Sequence, residues 1–375
     1  MNREQSAKSD HRTIPWLFDA TTDLGMFVGS AAVALLLLAV GHQFRWLSSD
    51  TPDWLWIAAV LLIDVAHVYA TGFRVYFDRE ERQRRPWLYL LTPLLAFVLG
   101  AAVHSEDARL FWRLLAYLAV FHFVRQQYGW VALYRAKAGE HTRVGRWVDS
   151  SAIYLATLYP LAHWHAALPR EFHWFQEGDF LPLPAMLVDV LRPMYWLALS
   201  LYVVRSAWRA IMLREYNPGK DLVVATTTIC WYVGIVAMNS DYAFTVTNVI
   251  IHGVPYLVLV YRLQPQRPVT ESLVPPRRFG IAAFLAIVWL LAFFEELLWD
   301  NGVWQERSWL FGSFGGLNEF EWLLVPLLAV PQVTHYILDG FIWKRRQHHD
   351  LEAIVGKAES VAPGKTAEGQ LFPRP

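Results

Sequence analysis

Apolar runs of about 20 residues, the length that crosses the hydrocarbon of a bilayer, recur along this chain and leave few ways to fold it. A backbone inside lipid must satisfy its own hydrogen bonds, so such runs become helices rather than open strands. About ten runs are present, over 24–46, 54–76, 86–104, 109–134, 149–166, 183–204, 220–239, 242–262, 279–298 and 320–343. The expected fold is all-α: a polytopic membrane protein of about ten transmembrane helices with a polar, His/Asp-lined interior. Composition agrees, with 55% apolar residues against 18% charged in 375. The net charge of +0 carries no footprint for nucleic acid. Cys230, the single cysteine, excludes both a disulfide framework and a thiolate metal cluster.

The loops alternate in charge. Arg79, Arg82, Arg84 and Arg85 follow the second run, and Arg135, Lys137, Arg143 and Arg146 follow the fourth. Arg205, Arg209, Arg214 and Lys220 separate the sixth and seventh. Arg262, Arg267, Arg277 and Arg278 follow the eighth, and Lys344, Arg345 and Arg346 follow the tenth. The intervening loops are poor in Lys and Arg, so both termini are expected in the cytoplasm, in a bacterial-type inner membrane. Residues 1–23 read as a cytoplasmic segment, 24–343 as the transmembrane domain and 344–375 as a disordered cytoplasmic tail. The longer aromatic loops, 166–182 and 299–319, fit interfacial packing.

Four histidines lie inside the even-numbered runs: His67, His122, His252 and His335. All four runs point the same way across the membrane. Each histidine comes about 11 to 15 residues after its run begins, roughly 16 to 22 Å deep. Polar company shares each face. Asp64, His67, Thr71 and Arg74 form one stripe, and His122 stands with Arg125, Gln126 and Gln127. Asn248, His252 and Tyr256 form another stripe, and Gln332, His335 and Asp339 the last. A lone membrane histidine most often bonds a neighbouring helix. Four at matched depth, with carboxylates, point instead to a shared cofactor site.

Neutral imidazoles with carboxylates suit iron, zinc or copper. The candidate metal ligands are His67, His122, His252, His335, Asp64 and Asp339, the two aspartates also serving as orienters. Tyr256 and Arg125 are candidate catalytic side chains, the first as a proton or radical relay and the second as holder of an acidic substrate group. Arg74, Gln126 and Asn248 are candidate cofactor-binding residues. His42, His104, His163, His165, His173, His348 and His349 read as interfacial or tail residues. Glu295 and Glu296 read as solvated or paired near a helix end.

The His252–Gly253 pair, with His67, His122 and His335 on separate helices, resembles the Brp/Blh carotene-cleaving membrane oxygenases. That resemblance implies a non-haem iron held among transmembrane helices. The HxxxH and HxxHH boxes of membrane desaturases and hydroxylases are absent. The helix logic is also similar to haem A synthase, which implies haem and, with it, arginine partners for propionates. The expected function is an integral-membrane, metal-dependent oxidoreductase. Iron is the expected metal, and the partners are the bilayer and a lipid-soluble substrate. A haem-binding protein, or a transporter using the cluster as an ion path, is the alternative.

Overall fold

The computed structural model describes residues 14–48, 51–264, 280–313, 320–343 and 349–355, and every regular element among them is helical. The basic residues Arg267, Arg277, Arg278 and Lys344–Arg346, His348, and the tail beyond 355 lie outside the described residues.

Eight helices are long and apolar enough to cross a membrane. In chain order with two others they are α1 (Ala20–Gln43), α2 (Asp53–Arg74), α3 (Pro86–Glu106), α4 (Ala108–Lys137), α5 (Arg143–Ala166), α6 (Ala185–Leu213), α7 (Pro218–Ala237), α8 (Asp241–Arg262), α9 (Gly280–Trp304) and α10 (Glu321–Ile342). The two others, α4 and α5, run for 30 and 24 residues and carry more charge. Local chemistry sets the boundaries. Asp107 caps α4 by accepting from the Leu110 amide at 3.0 Å, which separates α4 from α3 without a loop. Asn217 caps α7, with Pro218 as its first residue, and Ser240 caps α8.

The even-numbered helices α2, α4, α8 and α10 form the inner bundle, each of α8 and α10 packing on both α2 and α4. Around it, α1 packs on α8, α9 on α2, and α3 on α10 and α4, while α5 and α7 pack on α4 with α6 on α5. Helix α8 is the most enclosed, whereas α3 turns most of its apolar surface outward. Gly253 lets α2 and α8 meet closely: a Cβ there would lie 2.5 Å from Ile63 Cγ2 and 3.2 Å from the Ile63 carbonyl.

Three of the four inner helices are irregular just before their histidine. Trp56–Val65 in α2 and Thr245–Val249 in α8 are wound as π-helix. Helix α10 breaks at Ala329, between Pro326 and Pro331. Such wide turns and breaks re-aim the side chains that follow and collect at functional sites.

A charged clamp closes one end of the bundle. Glu140 accepts from Lys220 Nζ at 2.8 and 2.9 Å and from Arg209 at 2.9 Å, and Asp149 pairs with Arg135, Arg205 and Lys220. It ties α4, α5, α6 and α7 together. Burial pushes the Glu140 carboxyl up, but Lys220, Asn217 and Arg209 outweigh it and hold Glu140 below the usual carboxylate range.

Of the two readings of Glu295 and Glu296, solvated or paired, the structure takes the second for Glu295. They are not solvated: both are buried, and Glu295 accepts from Trp299 Nε1 at 3.1 Å and Gln332 Nε2 at 3.3 Å, with Tyr69 as a third partner. A carboxylate inside an apolar helix must find such donors, and α2 and α10 supply them.

Candidate metal centre

The four inner helices bring the four histidines together. His67, His122, His252 and His335 are 1%, 3%, 0% and 1% exposed. His252 Nε2 lies 3.1 Å from His67 Nε2, and His335 Nε2 lies 3.1 Å from His122 Nε2. The His67 ring centroid lies 6.2, 4.7 and 4.8 Å from those of His122, His252 and His335. Phe123 stacks on His252 with centroids 3.5 Å apart and nearly parallel planes, which sets the imidazole's ring plane.

Hydrogen bonds fix the His335 ring. Its Nδ1 is 2.7 Å from Thr71 Oγ1, which is 2.8 Å from the Tyr256 hydroxyl, which donates to Asp339 Oδ1 at 2.8 Å. Trp343 Nε1 donates to the same carboxylate oxygen at 3.1 Å. With Asp339 ionised, Tyr256 gives its one hydroxyl proton to it, and Thr71 donates to the tyrosine oxygen. The Thr71 oxygen is then left to accept from His335 Nδ1–H. The chain runs one way, from His335 to Asp339, and turns the bare Nε2 lone pair toward the cluster. This is the second-layer orientation that ligating histidines require.

The donor set and spacing fit a metal ion. Ligand atoms of His67, His122 and His335 all lie within 4.8 Å of one another, as do those of Asp64, His67 and His252. Bonds of about 2.0–2.1 Å place neighbouring nitrogens about 2.9–3.4 Å apart, which brackets the 3.1 Å pairs. His252 Nδ1 and Asp64 Oδ1 are buried with no hydrogen-bond partner among the described residues, and Asp64 Oδ1 stands 3.5 Å from His67 Nδ1. Orphaned donors and acceptors of this kind are costly in a dry interior and call for a ligand. Asp339 Oδ2, at 3.7 Å from His122 Nδ1, serves from the second layer.

The remaining candidates take other places. Gln126 Nε2 donates to the His252 carbonyl at 2.8 Å and pins α4 to α8 at the cluster. Asn248 Nδ2 bonds Thr247 Oγ1 at 3.0 Å and the Phe244 carbonyl at 3.3 Å, within its own helix. Arg74 is buried with its guanidinium 5.7 Å from the Trp343 ring centroid. Arg125 is exposed, bonds the Tyr154 hydroxyl and lies over the Tyr128 ring. It stands outside the histidine cluster because its position on α4 faces α5. His163, His165 and His173 enter no group with metal-ligand spacing among the described residues.

Two cavities flank the cluster. One, of about 560 Å³, reaches His122, Gln126, Tyr256 and Asp339, and its wall includes Phe121, Arg125, Trp130, Leu133, Leu259 and Trp343. The other, of about 630 Å³, reaches Asp64 and His67 and carries Glu296, Arg307, Glu306 and Asp241. The first lies toward the ends of α4, α8 and α10, the second toward the starts of α2 and α8. Tyr336 lines both and forms part of the wall between them, its ring 4.8 Å from that of His122. Sequence reasoning missed Tyr336, although it is the residue after His335 and so sits beside the ligand stripe. Comparison with family models, curated proteins and solved structures yields no match.

Proposed function

We propose that this protein is an integral-membrane, metal-dependent oxidoreductase acting on a lipid-soluble substrate. The observation that carries the reading is the convergence of four buried imidazoles from four helices, with Asp64 beside His67 and Asp339 orienting His335. Imidazole and carboxylate donors are compatible with iron, zinc and copper, and the oxidoreductase reading takes iron as the metal. Such an ion supplies a redox centre in a site that excludes bulk water. The protein's own work is to hold the rings, keep the His335 Nε2 lone pair inward through the Thr71–Tyr256–Asp339 chain, and admit an apolar molecule through the cavity beside His122.

The packing favours bare ions over haem. A porphyrin between two imidazoles needs ligand nitrogens about 4 Å apart, twice a metal–nitrogen bond. Here the facing Nε2 atoms are 3.1 Å apart and the rings pack on one another. In this reading α4 and α5 also cross the bilayer, giving ten spans with both termini in the cytoplasm of a bacterial-type cell. Reporter fusions after residues 80, 140 and 270 then all report cytoplasm.

The decisive test is metal per protein by mass spectrometry, with a visible spectrum, on wild type, His335→Ala, Asp339→Asn and His348→Ala. Wild type and His348→Ala carry the metal without a haem band, and the first two variants lose it. Equal metal in all four removes α10 from the site. A folded wild type without metal or haem moves the reading to an ion-conducting transporter.

A further inference from the structure

Arg125 is the residue that the cluster leaves unexplained. It lies 12 positions before Lys137, the last residue of α4, so roughly 18 Å of helix separate it from that end. That is deep in the hydrocarbon, where an exposed cation is costly unless it meets an anion or reaches water. No acidic side chain pairs with it among the described residues. Its described contacts are one hydrogen bond to the Tyr154 hydroxyl and the face of Tyr128, 4.9 Å away. A guanidinium has five donors in a planar fork, so most remain available for a bidentate anion.

The position of Arg125 gives those donors a place to act. Arg125 stands at the mouth of the 560 Å³ cavity, beside the exposed Phe121. Toward the ends of α4, α8 and α10 the wall is apolar, with Trp130, Leu133, Leu259 and Trp343, while Gln126, Tyr256 and Asp339 line the side next to His122. His122, one helical turn before Arg125, lines the same cavity. A cavity with a single cation at its mouth and an apolar wall beyond has the polarity of an amphiphile.

We infer that this cavity binds a single-chain amphiphile with a carboxylate head, the head on Arg125 and the tail along the apolar wall. The inference rests on the proposed metal reading for the identity of the cavity as the substrate site, and it names the substrate class. With the head one turn from His122, the carbons nearest the carboxylate lie closest to the histidines and the tail points toward the ends of α8 and α10. Arg125 is then a specificity residue. Tyr154 holds the guanidinium until the head group displaces it.

The test compares palmitate, methyl palmitate and hexadecanol for displacement of brominated stearate from the purified full-length protein. The readout is relief of tryptophan quenching, since Trp130 and Trp343 line the cavity. Wild type prefers palmitate over both neutral analogues by about 10-fold or more, the worth of a charge-assisted hydrogen bond. Arg125→Gln binds all three alike, while Tyr154→Phe, which frees the guanidinium, keeps the preference. Metal content equal to wild type in Arg125→Gln shows that the fold is intact. Retention of the preference in Arg125→Gln overturns the inference. So does displacement by phosphatidylglycerol as effective as by palmitate, which makes the occupant a bulk membrane lipid. If wild type holds no metal yet keeps an Arg125-dependent preference, the metal reading falls and the head-group reading stands.

Discussion

Replacing Thr71 by valine removes one hydroxyl and almost no volume, and it cuts the chain that orients His335. In the native site Thr71 Oγ1 accepts from His335 Nδ1 at 2.7 Å and donates to Tyr256 at 2.8 Å. Tyr256 survives the change, because its proton still goes to Asp339. His335 does not, since its Nδ1–H is left buried without an acceptor, at a cost of about 1–3 kcal/mol. The ring can escape by moving that proton to Nε2, where His122 Nε2 waits 3.1 Å away as an acceptor. The escape removes the Nε2 lone pair from the metal. By either route metal affinity falls about 10- to 100-fold, or roughly 1.4–2.8 kcal/mol. Thr71→Ser keeps the hydroxyl and holds affinity near wild type. The assay is competition with a chelator of known affinity, read as metal retained per protein. Asp339→Asn in the Thr71→Val background then adds less than it does alone, because both changes break one chain. Wild-type affinity in Thr71→Val, or full additivity of the pair, refutes the directed chain.

Two further outcomes test the scaffold. Gly253→Ala places a Cβ 2.5 Å from Ile63 Cγ2 and forces α2 and α8 apart; thermal unfolding reads a loss of about 1–3 kcal/mol, part of which Ile63→Val restores. Glu140→Gln removes one carboxylate from Lys220, which keeps Asp149, and from Arg209, which keeps Glu215, and costs about 1–3 kcal/mol at neutral pH. Because the native Glu140 carboxyl titrates below the usual range, its stabilisation is present above the unfolded-state value and is lost as pH falls through the folded-state value. A plot of thermal midpoint against pH is therefore flatter for Glu140→Gln across that acidic window, and parallel curves refute the clamp's charge.

The histidine stripe was legible because histidine and aspartate are expensive in lipid and helical spacing puts His335 and Asp339 on one face. Equal depth on four like-directed helices then made convergence the economical reading, and the ring contacts show it. Other features were hidden for stated reasons. Arg125 follows His122 by one turn, yet the rotation of α4 carries it toward Tyr154, and no pattern within one helix reveals its rotation relative to α5. The π-helical turns before His67 and His252 have no sequence mark in a uniformly apolar stretch. Glu295 looked peripheral because its partners Tyr69 and Gln332 come from α2 and α10, far away in the chain. Asn248 shares the His252 stripe, but its amide finds partners within α8 first.

The wall that Tyr336 helps to build has a kinetic meaning. His122 belongs to the oily cavity and His67 to the acid-lined one, with Tyr336 between them. On the proposed reading, a hydrophobic molecule and a water-borne one would have separate doors and separate waiting rooms. Neither would block the other's approach, and the centre would impose no compulsory order of arrival.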